Sequence, residues 1–350
     1  MNFWQELKSQ NRPILCSAPL DGVSDLAFCK ICLDGGADIA YTEMTSTNDL
    51  YHKSKQLITY LKQFKGTHRV GIQLYGKDPE QFTKAAQIAE SLGFDEININ
   101  FGCPAKGVVS GGGGVMLMRD LDNIYKIIEN TIKGTCLPVS IKIRAGINIE
   151  SIKKHGLEIN YNAIESCNDI IHNTNNQITK ITALDLLNKI KNLPISCIII
   201  HGRTYEQLFS GEINYNLIKE CRSFVENNFI ESKKKNGFSP IIIANGGIID
   251  DITAKKALEL TQANGLMIGM GSYGKPFIFN ELKGIKNNNL NKYILNHAKY
   301  LFESKPQKAH LDFRKHLLWY LKDNENFVFL RNKIIKIESL KDIEEIINNV

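Results

Sequence analysis

The stretch ININFGCPAKGVVSGGGG, residues 97–114, places one cysteine where an alternating run stops. Ile97 and Ile99 alternate with Asn98 and Asn100, which predicts a strand. Gly102, Cys103 and Pro104 break it, and four glycines follow at 111–114. A cysteine past a strand end, between a glycine and a proline, is placed for acid–base or nucleophilic chemistry. A small buried apolar residue is the plain alternative. The glycines fit a mobile cover over such a thiol, because glycine bends without clashes. Asn100 stands near the end of the same run, and Gln73, Lys142, His201 and Asn245 stand in comparable positions at the C-terminal ends of other apolar runs.

Lys142 lies between Ile141 and Ile143, so it points opposite to its apolar neighbours. An inward lysine needs an anion or an electron-rich acceptor to offset its desolvation. His201 can donate to the same ligand, and Gln73 offers an amide donor and acceptor to a heteroaromatic edge. Two glycine pairs, in ANGGI (244–248) and GMGSYG (269–274), allow backbone N–H groups close to a phosphate. These features suit a flavin. Spacing alone does not separate a flavin from another phosphorylated ligand.

The elements that must position these residues are short β-branched runs at 14–20, 38–44, 70–75, 96–102, 139–144, 197–203, 240–246 and 265–270, with helical patterns between several of them. The clearest helix is DPEQFTKAAQIAESLGF, with Asp78 as N-cap and Pro79 at the first helical position. Strands alternating with helices imply parallel pairing and right-handed crossovers. Eight units over some 260 residues predict an α/β (β/α)8 TIM barrel, with a doubly wound open sheet as the alternative. In a barrel all six polar strand ends share one face, which carries the active site. Residues 147–196 are long for one crossover and predict an irregular insertion followed by the helix TALDLLNKIKNL. Beyond residue 284 the pattern is helical only. The division expected is therefore a catalytic barrel over 1–283 and a small helical domain over 284–350, joined by GIKNNNLNK.

Composition limits the function classes. The 350 residues are 43% hydrophobic and 23% charged, which predicts a globular chain. No apolar run reaches the length of a membrane span, and the N-terminus lacks a secretory pattern. The eight cysteines are irregularly spaced; Cys29 and Cys32 form a CxxC with no second pair or nearby histidines, so no metal site is expected. A reducing, cytoplasmic compartment and a monomer are expected. The net charge of +6 permits a polyanionic partner without demanding one.

The segments APLDGVSD, TEMTS, GIQLYGKDPEQFTKAAQIAESLGFDEININFGCPAKGVVSGGGGVMLM, IKIRAG, HGRTYEQLFSG, ANGGI and KPFIF resemble the flavin-dependent tRNA-dihydrouridine synthases. The likeness covers roughly residues 12–283, and more weakly the C-terminal helices through FRKHLLWYLK. It implies an FMN-bound barrel with a helical tRNA-binding domain and NADPH as reductant. The reduced flavin gives a hydride to C6 of a uridine, and a cysteine protonates C5 from the opposite face. On this resemblance Cys103 is the general acid. Pro19, Leu20 and Asp21 line the flavin. Gln73, Lys142 and His201 contact its ring or ribityl chain, and Asn245, Gly246, Gly247, Gly269 and Met270 hold the phosphate side. Asn100 and Lys106 are substrate-side groups, and Arg314, Lys315 and His316 form a basic surface that meets the RNA. Leu20 stands where the family commonly has methionine. Met270 stands where it often has arginine, with Lys275 as a candidate substitute. The 147–196 segment exceeds the usual crossover.

Two other functions share some of these features. A flavin barrel reductase of a free small molecule would have the same pocket but no need of appended helices. An RNA-binding module without catalysis would not need Cys103, Lys142 and His201.

Overall fold

The computed structural model describes residues 3–165, 179–286 and 289–348. Eight parallel strands close into a barrel: β1 (Ile14–Ser17), β2 (Ile39–Ser46), β3 (Val70–Tyr75), β4 (Glu96–Phe101), β5 (Val139–Arg144), β6 (Cys197–His201), β7 (Ile241–Asn245) and β8 (Gly265–Ile268). Each strand pairs with its neighbours in sequence, and β8 closes on β1 through Ile14 opposite Gly265 and Ser17 opposite Ile268. All eight runs read from the sequence are barrel strands, and the open-sheet alternative is excluded by closure.

Alternation decides what each strand contributes. On β4, Ile97, Ile99 and Phe101 belong to the layer between strands and helices, which leaves Glu96, Asn98 and Asn100 for the other face. The lower barrel interior is filled by Ile14, Cys16, Ile39, Tyr41, Cys197, Ile199, Ile241, Ile243 and Met267. The N-terminal helix Phe3–Ser9 packs against this cluster through Trp4 and Leu7. The upper end is left to polar residues.

The helices form where caps and apolar spacing coincide. Asp78 accepts from Glu80 N at 2.9 Å, Pro79 begins the helix Pro79–Leu92, and Gly93 ends it with a left-handed φ of 84°. Helix Ala183–Ile190 begins at Thr182, which forms a capping box with Asp185. The long segment before it is partly ordered sheet: Gly146–Asn148 pairs antiparallel with Lys180–Thr182. Residues 166–178 of the expected insertion lie outside the described residues.

Past the barrel stand helices Leu290–Ser304, Ala309–Leu321, Phe327–Ile334 and Leu340–Ile347. They enclose their own apolar cluster, including Ile294, Leu301, Phe313, Leu317, Ile334 and Ile343. The helices dock on the β1 side of the barrel. Lys305 Nζ lies 2.8 Å from Asp25, Tyr273 stacks on Trp319 with ring centres 4.1 Å apart, and Lys315 donates to the Gly22 carbonyl. Among the described residues no helix is long and apolar enough to cross a membrane.

Candidate active site

A cavity of about 570 Å³ opens at the C-terminal end of the strands. Its walls include Pro19, Leu20, Asp21, Gln73, Asn100, Cys103, Lys142, His201, Asn245, Gly246, Gly247, Gly269 and Met270. That volume is within the ~300–1,000 Å³ of a small-molecule or cofactor site. The strand-end residues named from the sequence therefore converge on one space.

Cys103 is held by the chain around it. The Asn100 carboxamide oxygen accepts from Gly102 N at 3.0 Å and from Cys103 N at 2.8 Å. Asn100 thus caps the cysteine turn from below. Ala105 N lies 3.4 Å from the Cys103 sulfur. Burial, the largest effect, raises the thiol above its ordinary value; the Ala105 N–H and the charges of Lys142 and Arg144 pull the other way. Burial wins, so the thiol is protonated at neutral pH.

The glycines at 111–114 are not an open cover. Gly112, Gly113 and Gly114 are buried, and Arg119 Nη1 clamps the turn by donating to Gly112 O at 3.1 Å and Met116 O at 3.0 Å. Gly114 has φ +56°, and a Cβ there would lie 2.6 Å from the Cys103 carbonyl oxygen. The run lacks side chains because the returning chain presses against the cysteine turn. The exposed element nearby is the short helix Lys106–Ser110.

The cavity is cationic. Lys142 has its value pushed down to about 8 by burial first and by Arg144 second; among the described residues no carboxylate acts on it. Arg144, which sequence reading passed over, is brought down to about 10 for the same first reason. It donates to Gly102 O at 2.8 Å, Thr204 O at 2.9 Å and Leu208 O at 2.8 Å, and so ties the cysteine turn to the loop after β6. His201 is pushed down to about 2 by burial and by Lys142, Arg144 and Arg203, and is a neutral imidazole. Arg203 is a second missed cation on the cavity wall; its side chain donates from Nε to Gly211 O at 2.9 Å. Both arginines are in stretches already singled out, IKIRAG and HGRTYEQLFSG.

The glycine loops suit a close-lying ligand. Gly246 has φ +116°, and a Cβ there would meet His201 and Ile213 at 2.8 Å. Gly269 is different: a Cβ there would meet nothing nearer than Leu20 at 3.5 Å, so the protein itself does not require glycine. A side chain would instead project beside the cavity. Asn245 is buried and donates to Met267 O at 2.8 Å, bracing β7 against β8. Met270 is 57% exposed at the rim. Lys275 pairs with Glu281 at 2.9 Å and does not line the cavity. The lone lysine, the neutral histidine and the open glycine edge fit a flavin with its phosphate.

The residues assigned to RNA do not form one face. His316 is 2% exposed and is packed between His297 and Phe28, with ring centres at 4.5 and 5.7 Å, which removes it from any basic surface. Arg314 is half-buried and donates inward to Ile337 O at 3.1 Å. Lys315 reaches the barrel at Gly22, next to cavity-lining Asp21. Lys106 is exposed and follows cavity-lining Ala105.

Such a barrel, with a thiol, a lone lysine and glycine-edged loops at its C-terminal mouth, has the make-up of an enzyme with a site for an anionic ligand. Residues 16–165 and 173–349 match the family model for dihydrouridine synthase. The chain is 31% identical over 316 residues to tRNA-dihydrouridine synthase B of Pasteurella multocida, covering 87% of this chain and 82% of that one. It is 30% identical over 317 residues to a probable tRNA-dihydrouridine synthase of Rickettsia prowazekii, covering 87% and 84%. With tRNA-dihydrouridine synthase B of Escherichia coli it shares 27% over 326 residues, covering 90% and 88%. The chain belongs to the dihydrouridine synthase family of flavin-dependent oxidoreductases. Among solved structures, histamine dehydrogenase from Rhizobium sp. 4-9 aligns with a TM-score of 0.52 at 11% identity, over 82% of this chain. This chain spans only 49% of that one, and the likeness is one of fold alone.

Proposed function

We propose that this chain reduces the C5–C6 double bond of uridine in tRNA, with FMN in the cavity and NADPH as electron donor. When bound, the flavin supplies the hydride that goes to C6. Cys103 supplies the proton that goes to C5, and the resulting thiolate regains a proton from solvent. Lys142, His201 and Gln73 orient the flavin ring, with Pro19, Leu20 and Asp21 along it. Asn245, Gly246, Gly247, Gly269 and Met270 border its phosphate. Arg203 provides a cation in that cavity where Met270 cannot. A stacked uridine must be drawn out of the RNA to reach a thiol at the barrel mouth. Residues 284–350 form the RNA-binding domain in this reading, with Lys315 and Lys106 beside the cavity to meet phosphates.

The observation that supports this reading best is that Cys103, protonated by burial, shares one cavity with Lys142, a cation on which no carboxylate acts among the described residues. The test is Cys103→Ala. The variant should bind FMN and be reduced by NADPH as wild type does. Single-turnover reoxidation by tRNA should slow by about 10²–10⁴-fold, the usual worth of general acid catalysis. Reoxidation at the wild-type rate would show that the thiol is not the acid.

A further inference from the structure

Four side chains below the cavity form a directed hydrogen-bond chain. Asn100 Nδ2 donates to Gln73 Oε1 at 2.8 Å, Gln73 Nε2 donates to Asn98 Oδ1 at 2.7 Å, and Asn98 Nδ2 donates to Ser140 Oγ at 2.7 Å. The strand register makes this arrangement: Gln73 and Ser140 are the lateral partners of Asn98 on β3 and β5. All four residues are buried, Asn98 and Ser140 completely. Gln73 and Asn100 line the cavity, whereas Asn98 does not.

The direction of the chain is fixed at its top. Gly102 N–H and Cys103 N–H can only donate, so Asn100 must present its oxygen to them. Its amide group then faces Gln73, which must answer with oxygen. The Gln73 amide in turn requires an acceptor, and Asn98 is that acceptor. Without one, Gln73 has a buried donor unmet and a reason to rotate. Asn100 would then lose its own acceptor and its hold on the cysteine turn.

We infer that Asn98 is a positioning residue for Cys103, acting through Gln73 and Asn100 without touching the ligand. This rests on the reading of Cys103 as the proton donor. Two substitutions separate geometry from mere packing. Asn98→Leu is similar in size and offers no acceptor. Asn98→Asp presents an oxygen to Gln73 whether or not its carboxyl is protonated.

The experiment compares these variants in the single-turnover reoxidation of reduced holoenzyme by tRNA, with reduction by NADPH as the internal control. Asn98→Leu should reoxidise about ten- to a hundredfold more slowly, as expected for a group displaced by a fraction of an ångström to about 1 Å. Asn98→Asp should remain within about threefold of wild type, since the acceptor is kept. Combined with Cys103→Ala, Asn98→Leu should cost less than it does alone, because the two share one proton transfer; any loss left in the double variant belongs to the contact of Gln73 with the flavin. Asn98→Ala replaces the leucine variant if the latter does not fold. A wild-type rate for Asn98→Leu, or an aspartate variant as slow as the leucine one, overturns the inference. If Cys103→Ala is slow while Asn98→Leu is fast, the positioning role alone fails. If Cys103→Ala itself matches wild type, the assignment of the acid has failed and the positioning role falls with it.

Discussion

Gly114→Ala tests what the glycine run does. The new Cβ would stand 2.6 Å from the Cys103 carbonyl oxygen and 3.0 Å from Val108 Cγ1. Ordinary van der Waals separation requires the cysteine turn to recede by on the order of 1 Å. The backbone at φ +56° adds about 1–2 kcal/mol of left-handed strain for a residue with a Cβ. Strain and crowding together should lower stability by about 1–3 kcal/mol. A thiol displaced by about 1 Å should transfer its proton about a hundredfold more slowly. The assay is reoxidation of the reduced enzyme by tRNA in a single turnover, beside flavin content and the NADPH half-reaction, both of which should hold. Gly111→Ala is the control. Gly111 has φ −79°, and its Cβ would meet nothing nearer than 3.5 Å. Its loss of freedom should be harmless or slightly stabilising, by about 0.4–1 kcal/mol. A hinged cover would be slowed at either position; a packed support is slowed only at Gly114. Gly114→Ala at the wild-type rate, or Gly111→Ala equally slow, refutes the packed-support account.

Three further outcomes are expected. Lys106→Glu with Lys315→Glu should raise the Kd for tRNA and reduce the slope of log affinity against log salt by about 0.7–0.9 for each phosphate that is no longer neutralised, with the flavin spectrum unchanged; an unaltered salt titration would count against this docking face. Lys142 is charged below about 8 and neutral above it, so FMN affinity of the apoprotein should decline as pH rises through that value. Lys142→Met should bind FMN more weakly at pH 7 and lose that step, which fluorescence titration from below to well above that value will show. His297 is buried neutral, its value pushed down to about 4 chiefly by burial. The unfolded chain therefore binds a proton that the folded one refuses between its ordinary 6.5 and about 4, and stability falls as pH falls through that window. Melting temperature should drop across that window, less so in His297→Phe, and equal slopes in the two proteins would exclude this histidine as a cause.

Barrel strands and cavity residues were legible because an inward polar residue interrupts apolar alternation. Gln73 in VGIQLY and Lys142 in VSIKIR are visible as exceptions to their runs. Arg144 repeats the exception two residues later at the strand end, but its partners are backbone carbonyls of distant loops, for which sequence has no marker. Asn98 looked like ordinary alternation, since its meaning depends on cross-strand register. His316 carried a signal that was not used: with Phe313, Leu317 and Tyr320 it follows a three- and four-residue spacing, the buried stripe of a helix. Helix Phe327–Ile334 packs Phe327, Leu330 and Ile334 inward at the same spacing, but the exposed Val328 and Phe329 beside them blur the stripe. The pair Gly146–Asn148 and Lys180–Thr182 has three residues on each side and more than thirty between, too little for any local pattern.

The chemistry proposed sets two demands on one cavity that oppose each other. A site for an anionic cofactor needs cations, and cations favour thiolates. Lys142 and Arg144 both act on Cys103 in that direction, yet the acid must hold its proton until the substrate arrives. Three features reconcile the demands. Burial of the thiol outweighs the two cations. Arg144 commits Nε and Nη1 to the carbonyls of Gly102, Thr204 and Leu208, so its guanidinium braces the loops around the thiol. His201, an imidazole on the same cavity wall, is held neutral by burial and by its cationic neighbours. The same cations that would ionise the thiol therefore also keep that imidazole neutral. The Asn100 cap then has only to hold the turn, and it does so through backbone N–H groups that leave the sulfur free. Asn100 holds the turn and is not among the groups that set the thiol's protonation, so a substitution below the cavity should alter position and leave protonation in place.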